Sequence, residues 1–139
     1  MFRSILVDDF MTTHLATARP EMELLALVDL LLIQGISGAP VVDQDGKLVG
    51  MISEQDCLRK ILVGTYQGDI GGRVEDAMTS PVETVKMGAS IVEVAEQMLV
   101  TNRRRFPVVD LEGRLRGQIS RRDLLKAVRA YEIPNTHPD

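Results

Sequence analysis

The chain has 139 residues, of which 45% are hydrophobic and 26% are charged, a balance typical of one compact soluble domain. Its formal net charge of −4 argues against nucleic acid as a partner, because nucleic-acid binding needs a basic surface. The single cysteine, Cys57, excludes an internal disulfide bond and a Cys-x-x-Cys metal site.

Nothing in the sequence indicates secretion or a membrane span. Residues 1–6 lack the apolar core of a secretion signal, and the longest apolar stretch, Leu30–Ile33, is too short to cross a bilayer. We therefore expect a cytoplasmic protein without a membrane partner.

The chain contains an internal duplication. Residues 7–63 recur at 74–130 with a constant offset of 67, and 17 of the 57 paired positions are identical. A repeat this short rarely buries its apolar face alone, so the two copies should pack on each other with a cleft between them. The predicted organisation is repeat 1 at 7–63, a glycine-rich linker at 64–73, repeat 2 at 74–131 and a frayed tail at 132–139.

Each copy predicts the same elements in chain order. A helical turn comes first, followed by a short extended piece, a helix with apolar residues at helical spacing, two strands of a hairpin and a second helix. For the first copy these are Val7–Met11, Leu15–Ala18, Glu21–Gln34, Ala39–Asp43, Lys47–Ile52 and Glu54–Val63; for the second they are Val74–Met78, Val82–Val85, Ser90–Thr101, Phe106–Asp110, Arg114–Ile119 and Arg121–Tyr131. Gly35 and Asn102 should end the two longer helices in a left-handed conformation. The fold class is α+β, with two β-α-β-β-α repeats related by a pseudo-two-fold axis.

The chemistry is concentrated at the start of the second helix of each copy. Ser53 and Asp56 recur as Ser120 and Asp123. One interpretation is a capping box, in which the serine and the acid satisfy the free amides of the helix start. The other adds a ligand, because a helix start favours a phosphate and a carboxylate can accept the two hydroxyls of a ribose. The preceding glycines, Gly50 and Gly117, would let that ligand approach the backbone.

These motifs resemble a known family. The tandem copies, with Pro-Val-Val-Asp, a turn glycine and Gly-x-Ile-Ser-x-x-Asp, are similar to paired cystathionine-β-synthase domains, also called a Bateman module. The resemblance covers residues 7–131 and implies a module that binds AMP, ADP, ATP or S-adenosylmethionine. It also implies that the ribose-binding acid, the hydroxyl residue and the apolar contact correspond to Asp56 and Asp123, Ser53 and Ser120, and Ile52 and Ile119.

In that family the motif of one copy faces the first strand and the pre-strand loop of the other, which implies two unequal sites. In the first, Ile52, Ser53 and Asp56 face Val82, Thr84, Arg103, Arg104 and Arg105. In the second, Ile119, Ser120 and Asp123 face Leu15, Thr17, Ile36, Ser37 and Gly38. The arginines would supply charge-assisted phosphate bonds, unless they form only a solvated loop.

Other kinds of site find little support in the sequence. No histidine or cysteine cluster has metal-ligand spacing, and neither serine has a plausible histidine base. We therefore expect no metal, no required cofactor and no catalytic residue.

The predicted function is a regulatory sensor of adenine nucleotides that acts on an unknown effector. A structural module with empty clefts and a slow nucleotide hydrolase are the alternatives. The surplus apolar surface of the longer helices predicts a homodimer.

Overall fold

A computed structural model describes residues 2–131, and the predicted frayed tail lies outside that range. The chain is mixed helix and strand, as predicted, and divides into two compact units. The first-repeat unit contains residues 15–82 and 112–115. Within the described residues, the second-repeat unit contains residues 2–14, 83–111 and 116–131. Each unit therefore combines the body of one repeat with the leading segment of the other.

The first-repeat unit contains a two-stranded antiparallel sheet and three helices. Its elements are α1 (Leu24–Gln34), β1 (Gly38–Val42), β2 (Leu48–Ser53), α2 (Glu54–Gln67) and α3 (Val74–Ala77). One face of α1 is buried, and it packs with the sheet and with α3 in a core whose fully buried large side chains are Leu24, Leu27, Val41, Ile52 and Val74.

The second-repeat unit contains a three-stranded sheet in the order β3-β4-β5. Its elements are 3-10 helices at Phe2–Ser4 and Val7–Asp9, β3 (Val85–Lys86), α4 (Ile91–Thr101), β4 (Arg105–Val109), β5 (Leu115–Ser120) and α5 (Arg121–Tyr131). Strands β3 and β4 are parallel, so α4 is the crossover helix that joins them. The core is built around Val7, Val94, Met98, Phe106, Val108 and Ile119.

Most predicted elements are present, and α1 and α4 end where the sequence predicted. Gly35 has φ of 65° and Asn102 has φ of 56°, so both helices end in the predicted left-handed conformation. The hairpin strands of both copies begin and end within one residue of the predicted positions. The extended pieces are shorter than predicted. In the first copy only Ala18 forms a bridge, and in the second β3 starts at Val85.

Two helix boundaries differ from the prediction by three or more residues. Helix α1 begins at Leu24 rather than Glu21, because the chain forms a turn at Pro20–Met22, where the amide of Met22 donates to the carbonyl of Arg19 at 3.1 Å. Helix α2 continues through Gln67, four residues into the predicted linker. A single helical glycine such as Gly64 costs only about 1 kcal/mol, so it did not end this helix.

No helix within residues 2–131 is both long enough and apolar enough to cross a membrane.

Candidate functional site

The first Ser-x-x-Asp motif forms a complete capping box at the start of α2. The amide of Asp56 donates to Oγ of Ser53 at 3.1 Å, and the amide of Ser53 donates to Oδ2 of Asp56 at 2.9 Å. The Ser53 hydroxyl also donates to that Oδ2 at 2.9 Å. The other oxygen, Oδ1, accepts bonds from the Thr79 hydroxyl and the Arg59 guanidinium, each at 3.3 Å. Asp56 is 8% exposed, and both of its oxygens are hydrogen bonded.

The second motif repeats the two capping bonds at the start of α5. The amide of Asp123 donates to Oγ of Ser120 at 3.1 Å, and the amide of Ser120 donates to Oδ2 of Asp123 at 2.9 Å. Asp123 is half-buried rather than buried. The predicted capping role is thus confirmed for both motifs, and both present a helix start beside the hairpin.

The glycines before the motifs make room for protein rather than for a ligand. A β-carbon on Gly50 would meet Sδ of Met78 at 2.6 Å, and one on Gly117 would meet Sδ of Met11 at 2.7 Å. Each methionine belongs to a leading segment that hydrogen bonds to the hairpin strand beside it. The space where each β-carbon would lie is already filled by a methionine side chain. The expectation that a ligand approaches the backbone of these glycines from that side is therefore wrong.

The predicted site residues divide between the two units. The first-repeat unit contains Leu15, Thr17, Ile36, Ser37, Gly38, Ile52, Ser53, Asp56 and Val82, and the second-repeat unit contains Thr84, Arg103, Arg104, Arg105, Ile119, Ser120 and Asp123. The structure brings each motif next to the pre-strand loop of its own repeat. The facing of each motif with the loop of the other repeat stays a prediction.

Backbone hydrogen bonds join each motif to that loop. The amide of Glu54, the residue after Ser53, donates to the carbonyl of Ser37 at 2.9 Å. In the second repeat the amide of Arg121 donates to the carbonyl of Arg104 at 2.9 Å. Because these bonds hold the loops at the helix starts, a ligand at either start would lie close to its loop.

The two predicted isoleucine contacts lie in the cores. Ile52 and Ile119 are both 0% exposed. Their side chains contact the buried apolar residues of their own units, and they offer no surface to a ligand. The predicted role of these side chains as ligand contacts therefore finds no support in the geometry.

Sequence reasoning did not identify Thr79 and Arg59 as partners of Asp56. Thr79 lies 23 residues away along the chain, so only the fold brings its hydroxyl to the carboxylate. A signal existed, since Thr12 and Thr79 are identical at equivalent positions of the two copies. Arg59 was visible as a partner at i+3 on the same helix.

Neither a metal site nor a reactive cysteine is evident in the described part of the chain. No group of three or more His, Cys, Asp or Glu side chains within residues 2–131 could hold a metal ion. Burial raises the pKa of the Cys57 thiol above its usual 9.0, and the Asp56 and Glu54 carboxylates raise it further. A raised pKa lowers the thiolate fraction, which makes Cys57 a poor nucleophile.

Related sequences match most of this chain. The uncharacterised protein MJ1426 of Methanocaldococcus jannaschii is 30% identical, and the match covers 89% of this chain and 91% of that protein. The inosine-5'-monophosphate dehydrogenase of the same organism is 34% identical over 86% of this chain, but the chain spans only 23% of that enzyme.

Solved structures with the same fold contain adenosine compounds. The crystal structure of CBSX2, a CBS-pair protein from Arabidopsis thaliana, in complex with AMP has a TM-score of 0.80 at 28% identity, covering 93% of this chain and 99% of that one. The CBS domain pair of MJ0100, in complex with 5'-methylthioadenosine and S-adenosyl-L-methionine, has a TM-score of 0.70 at 28% identity, covering 90% and 96%. The family model of the CBS domain matches residues 7–63 and 74–130. The chain therefore belongs to the CBS domain family, with two tandem copies of the domain.

Proposed function

We propose that this chain is a regulatory module that binds an adenosine-containing ligand and passes its concentration to an effector protein. The observation that carries the proposal is the capped helix start that follows each hairpin, with a serine hydroxyl, an aspartate carboxylate and the positive end of a helix in one place. The AMP complex of CBSX2 and the S-adenosyl-L-methionine complex of MJ0100 support an adenosine compound as the ligand.

The chemistry of such a helix start suits a nucleotide. The first amides of a helix and its partial positive charge attract a phosphate. A carboxylate oxygen without a partner can accept a hydroxyl of the ribose, and this acceptor would distinguish ribose from deoxyribose. This chemistry favours a nucleotide, whose ribose and phosphate would both be recognised.

The proposed output is regulatory rather than catalytic. The Ser53 hydroxyl donates to Asp56, and neither Ser53 nor Ser120 hydrogen bonds to a histidine within residues 2–131. Without a base to remove its proton, a serine hydroxyl is a weak nucleophile. Nucleotide hydrolysis by either serine is therefore not part of the proposal.

Calorimetry and thermal unfolding test the proposal directly. AMP, ADP, ATP, S-adenosylmethionine and adenosine would each be titrated into the chain, with GMP as the control for the base. A ligand at 100 times its Kd should raise the free energy of unfolding by about 2.7 kcal/mol. If none of the adenosine compounds binds, the module is structural and the proposal fails.

We also propose that the chain forms a homodimer through the helices of the first-repeat unit. A groove of 340 Å³ lies between α1 and α2 and is lined mainly by the apolar side chains Val28, Leu31, Leu32, Cys57, Leu58 and Ile61. Leu32 is 72% exposed and Leu58 is 69% exposed. Apolar surface of this kind is commonly covered by a partner, and a second copy would present the same surface in return.

Light scattering tests the dimer. The wild-type chain should have about twice its chain mass at micromolar concentration, and Leu32→Glu should convert it to a monomer because a charge would be buried in the interface. Leu111→Glu is the matched control, since Leu111 is also strongly exposed, at 89%, but lies in a hairpin turn and does not line the groove. A wild-type monomer at all concentrations contradicts the dimer.

A further inference from the structure

Both repeats expose large aliphatic side chains at equivalent helix positions. Each of these side chains is between 67% and 86% exposed; they are Leu32, Ile33 and Leu58 in the first copy and Leu99, Val100 and Leu125 in the second. Leu32 and Leu58 line one groove. Because α4 and α5 also pack against each other, Leu99 and Leu125 should lie on one side of that pair. We call the surface formed by Leu99, Val100 and Leu125 the α4–α5 face.

The residues around Leu125 make this face different from its counterpart. Residues three or four apart on a helix are neighbours on its surface. Leu125 lies three residues after Arg122 and four residues before Arg129, and both arginines are exposed. The equivalent neighbours of Leu58 on α2 carry no charge; they are Gln55 and Leu62. An apolar side chain is thus bordered by positive charge in one copy and not in the other.

The positive charge extends along α5 and through the unit. Helix α5 has four basic residues and one acidic residue, whereas α2 has two of each. Within residues 2–131 the second-repeat unit has ten basic and seven acidic side chains, and the first-repeat unit has six and eleven. On α4, Glu96 is exposed three residues before Leu99, so the basic border of the face comes from α5.

These charges make a second copy of the chain a poor occupant of the α4–α5 face. In a two-fold dimer both copies contribute the same patch, so Arg122 and Arg129 would approach the same arginines of the partner. Like charges that meet across an interface repel each other. The groove between α1 and α2, proposed above for the dimer, has uncharged residues at the two equivalent positions. The α4–α5 face therefore suits a different partner, whose surface is acidic.

The apolar centre of the face selects among acidic partners. Nucleic acids are bound by basic and polar groups together with aromatic rings that stack on the bases. Leu99, Val100 and Leu125 are aliphatic and have neither property. Such side chains gain most when the apolar side chains of another protein remove them from water. An amphipathic helix supplies apolar side chains along one face and can carry acids beside them.

We infer that the α4–α5 face is a docking surface for an acidic amphipathic helix of the effector protein. The apolar side chains of that helix cover Leu99, Val100 and Leu125, and its carboxylates pair with Arg122 and Arg129. The inference rests on the proposed function for the role of the partner, since that function requires an effector. The contact itself needs no nucleotide, so the two can be tested separately.

A synthetic probe helix tests the docking surface. A peptide with leucines along one face and glutamates beside them is titrated into the full chain without nucleotide and followed by NMR. The amide signals of Leu99, Val100 and Leu125 should shift, and those of Leu32 and Leu58 should not. The control peptide, with lysines in place of the glutamates, should bind at least about tenfold more weakly because the basic border repels it. No binding, equal binding of both peptides, or shifts confined to Leu32 and Leu58 would overturn the inference.

Charge reversal on the protein gives a matched test of the border. Arg122→Glu should weaken binding of the glutamate peptide by about tenfold, because an attractive charge becomes a repulsive one. Lys86→Glu makes the same change in net charge at an exposed position of β3, and it should change the affinity by less than about twofold. Equal effects of the two variants would show that only net charge matters, which would overturn the border as a specific contact.

Substitution of a leucine tests the apolar centre and the other possible occupants. Leu125→Ser should weaken peptide binding, whereas Leu111→Ser, in an exposed hairpin turn, should leave it unchanged. If Leu125→Ser instead halves the mass in light scattering, a second copy covers the face and the inference falls. It also falls if vesicles containing phosphatidylserine bind the wild-type chain through Leu125 and the glutamate peptide does not.

The peptide titration also separates this inference from the proposed function. If the glutamate peptide binds the α4–α5 face but no adenosine compound binds the chain, the proposed function fails and the docking surface stands. If AMP binds and the peptide does not, the docking surface fails and the ligand-binding part of the proposed function stands.

Discussion

The glycines before the two motifs are required by packing, and they differ in what a larger residue would meet. A β-carbon on Gly117 would lie 2.8 Å from the carbonyl oxygen of Thr12, whereas one on Gly50 would lie 3.1 Å from that of Thr79. Both carbonyls are fixed by hydrogen bonds to the hairpin strand, so they cannot move away cheaply. We therefore expect Gly117→Ala to lower the free energy of unfolding by about 1–3 kcal/mol, and by more than Gly50→Ala does.

Urea denaturation at neutral pH measures both effects. Gly71→Ala is the matched control, because Gly71 is exposed and its β-carbon would meet only the Asp69 side chain, at 3.2 Å. A loss no greater than that of the control would mean that the leading segments move aside and that the close approach is not needed.

Cys57 gives a prediction about pH. Burial, with the Asp56 and Glu54 carboxylates nearby, raises the pKa of the thiol above its usual 9.0 in the folded chain. The folded state thus keeps the proton at a pH where the unfolded state has lost it. The free energy of unfolding should not change on this account below about pH 9, and it should fall above that pH.

The comparison with Cys57→Ala isolates this effect from other groups that titrate at high pH. Urea denaturation at pH 7.5 and pH 10 should show a larger loss of stability for the wild-type chain than for the variant. Iodoacetamide should also label the folded thiol much more slowly than the unfolded one. Rapid labelling of the folded chain would show that the thiol is neither buried nor shifted.

At the scale of elements, helices α1 and α4 are equivalent in the two repeats but begin differently. The Ser90 hydroxyl caps α4 by accepting the amide of Glu93 at 3.2 Å. The equivalent residue of α1, Glu23, has an extended backbone suited to a cap but makes no capping bond with its side chain. A serine cap contributes about 1 kcal/mol, so Glu23→Ser should stabilise the chain by roughly that amount and Ser90→Ala should destabilise it similarly.

Urea denaturation of the two variants checks the cap prediction, with Glu23→Ala as the control for loss of the glutamate alone. If serine and alanine at position 23 give the same stability, the start of α1 is set by its packing and not by capping.

The elements that sequence predicted well are those set by neighbouring residues. The caps at Ser53 and Ser120 involve atoms three residues apart, and the left-handed ends at Gly35 and Asn102 depend on one residue each. The start of α1 and the end of α2 were wrong, because they depend on where the chain packs next. Helix α2 passes Gly64 and ends at Gly68, where the amide of Asp69 returns to the carbonyl of Gly64 at 2.7 Å.

The same limit applies to the candidate site. The sequence identified the residues of both motifs. It did not predict that Asp56 and Asp123 have different hydrogen-bond partners. Thr12 and Thr79 are identical in the sequence, yet only Thr79 hydrogen bonds to the aspartate of its unit within residues 2–131. The bond from Thr79 joins segments 23 residues apart along the chain, and residue spacing does not predict such a contact.

At the scale of the whole molecule, the sequence repeats and the structural units do not coincide. The repeats are contiguous, but each unit takes its leading segment from the other repeat. Val7 and Val74, which are identical and equivalent, are both fully buried. Val7 lies in the core of the second-repeat unit and Val74 in that of the first-repeat unit. The repeat pattern alone could not show this exchange. The valine of a leading segment would be buried whether that segment packed in its own repeat or in the other one.

Substitution of the two valines tests the exchange of leading segments. Each Val→Ala change removes the equivalent of two buried methylene groups and should cost about 1.6 kcal/mol of unfolding free energy. The sharper readout is the NMR signals of methyl groups in the two cores. Val7→Ala should shift the methyl signal of Met98 and spare those of Leu24, whereas Val74→Ala should shift those of Leu24 and spare that of Met98. The reverse pattern would mean that each leading segment packs within its own repeat, so that the contiguous repeat and not the exchanged unit is the unit of structure.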